Sequence, residues 1–561
     1  MGSANVEDVY ELTPLQRGML LHAVHDGAAD MYLGQHVYVL DGHLDADALI
    51  EAWRRTIASH PALRTSFHWE GLDKPLQVVH REVEPPVRQT DLSGTEDEAQ
   101  DAQLDLMAAR ERAESFDLTT SPLQRLHTVR LADDRCALIL THHHLLLDGW
   151  SVPVFMNEIV ARYQALTVGG PTPPPAPPFR DYIAWLQSQD VEAAERFWKE
   201  TLADVVPFRL AAPPSGDVRR RGGVDRHVVG IGGAVDEGLR TTAARHQVTV
   251  NAVLQAAWSV VLYSRTGRTD VVFGCVSSGR PADLPDADRM IGMCVNTLPI
   301  PVTVPVDGDL GTWLRDVQSR NAAIRRFEFS SLSDVKRWAG APGQELYDSL
   351  FVLGNYSFGV EAGESVTGAL SVRSQRTFDK VSVPLSLIVT PAPVSELQFL
   401  YHRDRFDAAF VEELRGSLLA VLEAMTHAEH VGAVVSAAGP MRQAAPGLPE
   451  TPDAPGARGD HPVGPGTPEE EAIAAVFRAV LERADIDATV SFFDLGGDSF
   501  GAVRAVGRID GATLAMFALN PSVRELAAAL AAAGPDEPQD ELDAEIAELE
   551  RRLAEKTGEI Q

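Results

Sequence analysis

Cysteine is scarce in this chain: Cys136, Cys275 and Cys294 are the three among 561 residues, and no two form a CxxC pair. That excludes a disulfide framework and a thiolate zinc site, and it suits a reducing cytosol. Positive charge is also short. Lys and Arg number 49 against 80 Asp and Glu, a net charge of −31, which disfavours nucleic acid or anionic lipid as a main partner because both reward positive charge. No run of about 18 apolar residues occurs, and the stretch from Met1 to Val6 has no apolar signal core. Val6 also stands where a myristoylation site wants Ser or Thr. A soluble cytoplasmic protein is expected. What is present is ordinary globular material, 45% hydrophobic and 23% charged, in a chain long enough for several domains.

Two proline-rich breaks divide it. Pro171 to Pro178 (PTPPPAPP) should run as a stiff polyproline strap. Residues 439–466 carry scattered Pro and Gly with no apolar periodicity and read as an exposed linker. A flexible chain of that length spans about 30 Å on average and roughly 95 Å at most. The expected domains are 1–175 and 176–438, two lobes of mixed α/β make-up, then the 439–466 linker, a small helical domain at 467–534 and an acidic tail at 535–561. A long doubly wound sheet is the alternative, but no Gly-rich strand-to-helix turn supports it.

Spacing places helices at Leu49–Ile57, Ser151–Leu166 (capped by Ser151, ended by Gly169), Asp181–Lys199, Asn251–Tyr263, Leu310–Arg325 and Ala408–Thr426. Strands are expected at Val37–Leu40, Leu126–Leu131, Ala137–Thr141, Asp270–Val276, Leu298–Val304, Asp348–Leu353, Pro384–Val389 and Leu397–Tyr401. Beyond the linker, Glu469–Leu481, Phe500–Val506 and Val523–Leu530 read as helices. In the tail, Leu542, Ile546, Leu549, Leu553 and Ile560 recur at spacings of four and three with Lys556 in the remaining seam position, amid acids that outnumber Arg551, Arg552 and Lys556. Such a helix either frays as a terminus or docks a partner through its apolar stripe.

The densest polar cluster follows an apolar strand: Thr141-His-His-His-Leu-Leu-Leu-Asp-Gly-Trp150. Alternation puts His142 and His144 on one face of the strand and His143 on the other. Buried imidazoles are costly unless satisfied or working, and histidine exchanges protons near neutral pH. Two readings stand at this point, satisfied core histidines or a zinc site from His142, His144 and Asp148, and Asp148 could instead orient an imidazole or hold a neighbouring arginine; a third reading rests on a resemblance.

His143-His-Leu-Leu-Leu-Asp-Gly149 resembles the HHxxxDG motif of nonribosomal peptide synthetase condensation domains. Other segments are similar to that family's motifs in order: Leu12-Thr-Pro-Leu-Gln-Arg-Gly-Met-Leu20, Ser59-His-Pro-Ala-Leu-Arg-Thr-Ser-Phe67, Arg180-Asp-Tyr-Ile-Ala-Trp185, Ile291-Gly-Met-Cys-Val-Asn-Thr-Leu-Pro299 and Gly354-Asn-Tyr356. The resemblance covers about residues 8–438. It implies two chloramphenicol-acetyltransferase-like lobes in a V, with a tunnel between them and the histidine motif midway. His144 would face the reaction centre beside His143 and Gly149, while Asp148 would be structural and pair with an arginine, for which Arg280 fits. Pro14-Leu-Gln-Arg-Gly-Met-Leu20 resembles the subtype that accepts a D-configured donor terminus more than the all-L subtype.

Gly497-Asp-Ser-Phe-Gly501 satisfies G-x-S-x-G, the hydrolase nucleophile elbow. That reading fails because no histidine follows His461 and the domain is too small for the sheet an elbow crowns. Phe493-Asp-Leu-Gly-Gly-Asp-Ser-Phe500 instead resembles the FxxLGGxS motif of peptidyl carrier domains, which implies 4′-phosphopantetheine on Ser499. A serine opening a helix suits a phosphate, because free amides and the helix dipole face it. The stretch from Ser499 to Leu514–Phe517 is shorter than in a typical carrier, so an altered loop and third helix are expected.

The resemblance implies amide-bond formation between a donor thioester on an upstream carrier and an aminoacyl thioester on this chain's own carrier. The implied partners are an upstream donor carrier or synthetase subunit, a phosphopantetheinyl transferase and a separate adenylation enzyme, since nothing between the domains is long enough to adenylate. Nucleic acid, membrane and metal are not expected. Rival readings are an epimerisation domain, against which Gly149-Trp150-Ser151 speaks, a non-catalytic recruitment domain, and an ester- or amide-forming acyltransferase with a soluble acceptor.

Overall fold

The computed structural model describes residues 5–25, 32–70, 72, 74–203, 205–210, 223–341, 344–354, 365–367, 370–379, 383–391, 394–440, 463–481, 483–492, 495, 497, 499–513, 516–517 and 520–532. In chain order the first half contains β1 (Val6–Glu11), α1 (Pro14–His25), β2 (Leu33–Asp41), α2 (Ala46–Ser59), β3 (Thr65–His68), β4 (Leu76–His80), β5 (Val87–Asp91), α3 (Asp97–Ala113), β6 (Gln124–Ala132), β7 (Arg135–His143) and α4 (Ser151–Thr167). After the strap come α5 (Phe179–Gln187), α6 (Val191–Thr201), β8 (Val224–Gly230), α7 (Gly233–His246), α8 (Val250–Thr266), β9 (Asp270–Ser277), β10 (Asn296–Thr303), α9 (Leu310–Arg325), α10 (Leu332–Trp338) and β11 (Ser349–Leu353). Then follow β12 (Ser365–Thr367), β13 (Leu370–Asp379), β14 (Leu385–Thr390), β15 (Glu396–His402), α11 (Ala408–Met425) and α12 (Val431–Ala437), with α13 (Pro468–Leu481), α14 (Ser499–Val506) and α15 (Val523–Ala532) beyond the linker.

Two separate six-stranded sheets, β12-β13-β2-β7-β6-β5 centred on the first half and β10-β9-β11-β14-β15-β8 in the second, rule out the doubly wound alternative. The first sheet is covered on both faces. Tyr38, Leu40, Leu138 and Leu140 pack toward α2 and α4, whereas Val37, Val39, Ala137 and Ile139 meet Leu104 and Ala108 of α3. The period of two in the strands makes that division. Around the second sheet, α8 is buried along almost its whole length, the all-round apolar helix of a large core.

Three expectations need correction. Asp181–Lys199 is two helices, because Asp190 accepts from the Ala193 amide and starts a new one. Ser151 does not cap α4 with its side chain; Trp150 holds the cap position, and the carboxylate of Asp148 accepts from the Ser151 amide at 2.8 Å. The second half does not keep to itself, since β13 pairs antiparallel with β2 and so completes the first sheet. The first half also carries a small sheet, β1-β4-β3, that periodicity does not reveal. Residues 441–462 of the linker, the tail from 533 and Asn355-Tyr356 lie outside the described residues.

The third unit, α13 to α15, has its own core. Phe477, Phe492 and Phe517 meet at ring centroid distances of 4.8 to 5.6 Å, so the short stretch after Ser499 still delivers Phe517 to the interior.

Candidate active site and carrier module

Strand β7 ends in the histidine motif because its ladder with β2 runs to the pairs Gly34–His142 and Leu33–His143, and the His144 amide then donates to the Tyr32 carbonyl at 2.8 Å. His142 and His144 share a face, with ring centroids 5.2 Å apart and edge to face. On its other side His142 lies parallel to His36 at 5.6 Å. Glycine is required at Gly34 by close approach: a Cβ there would stand 2.5 Å from the His142 ring. His143 turns the other way and meets Tyr32 edge-on at 6.4 Å.

The three imidazoles differ in access, and His143 and His144 differ in tautomer. His142 and His143 are fully buried, whereas His144 is half-buried. The Leu145 amide donates to Nδ1 of His143 at 3.1 Å, so the proton of that neutral ring sits on Nε2. Nδ1 of His144 lies 3.2 Å from the Leu147 carbonyl, which can only accept. Its proton is therefore on Nδ1, and the lone pair of the neutral ring is on Nε2.

Asp148 is buried and turned away from this face. Arg280 donates to both its oxygens at 2.9 and 3.1 Å, with side chains only 4% and 1% exposed. The amides of Cys294 and Val295 add bonds of 3.0 and 3.1 Å, and the Ser151 hydroxyl one of 2.7 Å. Burial alone would raise the Asp148 pKa; Arg280 and the hydrogen bonds outweigh it and hold the carboxyl below its ordinary value. Since Arg280, Cys294 and Val295 belong to the second half, this cluster ties the two sheets together. Both oxygens are saturated, which leaves Asp148 unavailable as a zinc ligand. Among the described residues no group of three His, Cys, Asp or Glu is placed to hold a metal. Gly149 lies half-buried between Asp148 and α4.

His36 and Gly34, both in β2, carry no sequence signal at the site, whereas Gln16 lies within the Leu12–Leu20 motif and reaches the site from α1. Gln16, within α1, donates to the Leu145 carbonyl at 2.7 Å and to Gln77 at 3.1 Å.

Buried neutral histidines set an acid limit on stability. Burial, then the charge of His144, pushes His143 down to about 3, and His142 lies well below the usual value for the same reasons. Between pH 6.5 and about 3 the unfolded chain binds a proton at His143 that the folded chain refuses. Stability is therefore lost as pH falls, by about 1.4 kcal/mol per pH unit for such a group. We expect the urea midpoint to drop between pH 7 and 5, with a shallower slope in His143→Gln. Equal slopes would contradict this origin.

In the helical unit, Ser499 is the first residue of α14. Two residues earlier the Gly497 amide donates to the Phe492 carbonyl, and a Cβ at Gly497 would stand 2.1 Å from the Phe492 ring. Gly497 is thus pressed onto the aromatic core, and a helix N-terminus at Ser499 suits a phosphodiester.

Fold and site together define a two-lobed, chloramphenicol-acetyltransferase-like protein with a helical carrier unit. The condensation-domain family model matches residues 6–433 and the phosphopantetheine attachment-site model residues 471–530, so this chain belongs to the condensation-domain family and carries a region for covalent 4′-phosphopantetheine. Two of the linear gramicidin synthase proteins of Brevibacillus parabrevis resemble it, one at 35% identity over 430 residues and the other at 36% over 429. Those matches cover 75% and 76% of this chain but 6% and 8% of the relatives' length. Among solved structures, the first condensation domain of the calcium-dependent antibiotic synthetase superposes with a TM-score of 0.63 at 20% identity, over 76% of this chain and 99% of that one. A holo four-domain nonribosomal peptide synthetase bound to AMP and glycine gives 0.64 at 17%, over 85% and 37%. Likeness at such identity speaks to fold. No described helix is long and apolar enough to cross a membrane.

Proposed function

We propose that this chain forms an amide bond between an acyl or peptidyl thioester on an upstream donor carrier and the α-amine of an aminoacyl thioester on its own carrier at Ser499. The observation that carries the reading is the half-buried His144, whose Nδ1 proton faces the Leu147 carbonyl and leaves the Nε2 lone pair as the basic atom. The phosphopantetheine arm supplies the thiol that holds the acyl group as a thioester. The chain's residues supply position and proton handling. His144 orients the incoming amine and receives its proton at Nε2 as the donor's C–S bond breaks and its arm leaves as the thiol, and His142 meets the ring edge to face. Asp148 and Arg280 hold the turn that presents it. An α-amine of pKa about 7.7–8 is roughly a tenth neutral at pH 7, so prior deprotonation is worth only about 1.4 kcal/mol. Alignment of two tethered reactants contributes about 7–11 kcal/mol, and proton transfer in the transition state about 10²–10⁴-fold. Positioning dominates.

The partners on this reading are an upstream donor carrier or synthetase subunit, an adenylation enzyme that loads the arm and a phosphopantetheinyl transferase, all in the cytoplasm. The Pro14–Leu20 motif favours a D-configured donor terminus. The test is intact-protein mass. A transferase with an aminoacyl-coenzyme A should load wild type and leave Ser499→Ala at its starting mass. Mixing with an acyl-loaded donor carrier should then move the acyl group onto this chain. An unchanged mass of the loaded chain after mixing would refute the condensation reading, and loading of Ser499→Ala would refute the attachment site.

A further inference from the structure

Trp69 follows the last residue of β3 and belongs to two cores at once. It packs against the apolar cluster of the first half and also against the cluster of the helical unit that contains Ile473, Phe477, Phe492 and Phe517. Beside it, α14, which begins at Ser499, lies against α1. We propose that Trp69 is the anchor on which this chain's own carrier module docks, holding α14, the helix that Ser499 opens, against α1 (this rests on reading residues 471–530 as the carrier).

Three features support that assignment. A tryptophan offers a large apolar surface with few rotatable bonds, the side chain most often found to dominate an interface. Its indole nitrogen is buried and has no hydrogen-bond partner among the described residues. Undocking would return that N–H to water, so the contact is built to release. A weak contact is sufficient, because covalent tethering keeps a second module at about millimolar effective concentration.

The dock also has a physical link to the histidine turn. In the β3–β4 ladder Phe67 pairs with Gln77, Gln77 accepts from Gln16 in α1, and Gln16 holds the Leu145 carbonyl next to His144. The platform that receives the carrier and the turn that presents the imidazole therefore share one rigid support.

The test uses the full chain with its arm attached. Rotational correlation times of carrier amides, by nitrogen-15 relaxation, should match those of the condensation domain in wild type and fall toward those of a small free domain in Trp69→Ala. Trp69→Leu, which keeps an apolar filler for the first half, guards against misfolding and should show an intermediate fall. Single-turnover coupling from the loaded carrier should drop roughly tenfold relative to coupling of a diffusible aminoacyl N-acetylcysteamine thioester. A carrier that tumbles freely in wild type, or stays docked in both variants, would overturn the anchor. An equal loss with tethered and diffusible acceptors would do the same. Absence of coupling by wild type would sink the proposed activity, while the relaxation experiment would still decide the dock.

Discussion

His144→Ala is expected to slow amide formation by about 10²–10⁴-fold in single turnover, the range for removing a positioned proton acceptor, while carrier loading and the melting temperature stay near wild type. His144 is half-buried, so its truncation opens no large core void. The pH profile separates its two roles. If the ring takes the proton, the wild-type rate falls as the imidazole protonates on acidification, and His144→Gln, which can orient but not accept a proton at this pH, stays near the alanine rate. If orientation carries the effect, glutamine recovers most of the activity. A wild-type rate in His144→Ala would remove this residue from the mechanism. The part of the alignment contribution of about 7–11 kcal/mol that tethering supplies survives the substitution, because both reactants stay on their carriers.

Breaking the Asp148–Arg280 pair should produce the largest loss of stability. Each partner is almost wholly withdrawn from solvent, and removing one leaves the other charged and buried, at a cost of about 3–5 kcal/mol. Asp148→Ala also strips an acceptor from the Ser151, Cys294 and Val295 amides. We expect little folded protein, a strongly lowered urea midpoint and loss of activity with the fold. Asp148→Ala combined with Arg280→Met should recover part of the stability, because the stranded guanidinium is gone. An unchanged midpoint in Asp148→Ala would contradict the structural role. The pair has its own pH signature. With the Asp148 pKa depressed, its contribution is present above the ordinary carboxylate pKa and lost only as pH falls through the lower folded value. That window lies below the near-neutral onset of the loss at His143.

The histidine motif, the serine of the carrier module and most helices are legible in the sequence because each is local. Helix α9 is legible to the residue, since Leu310 to Arg325 carry both the period and the end signals. Strand β13 is not: Leu370 and Val372 are its buried apolar pair, and the rest (Arg373 to Asp379) is mostly polar. Its partner β2 is more than three hundred residues earlier, and pairing at that distance leaves no mark in a window. The small sheet β1-β4-β3 escapes because its strands are only four to six residues long. The break at Asp190 is visible as a cap residue, but the longer apolar period around it masks the signal.

For the chemistry, sequence alone determined which side chains are available: a histidine triplet, an acid a short turn beyond it, and a serine downstream of a proline- and glycine-rich segment. Their identity and spacing are covalent facts. Which imidazole meets solvent, which nitrogen bears its proton and which arginine neutralises Asp148 were decided only in three dimensions. Burial, tautomer and charge pairing depend on groups from distant strands: Gly34 and His36 beside the rings, Arg280 and the Cys294 amide around the carboxylate. Free energy is assigned by those neighbours, and chain order does not name them.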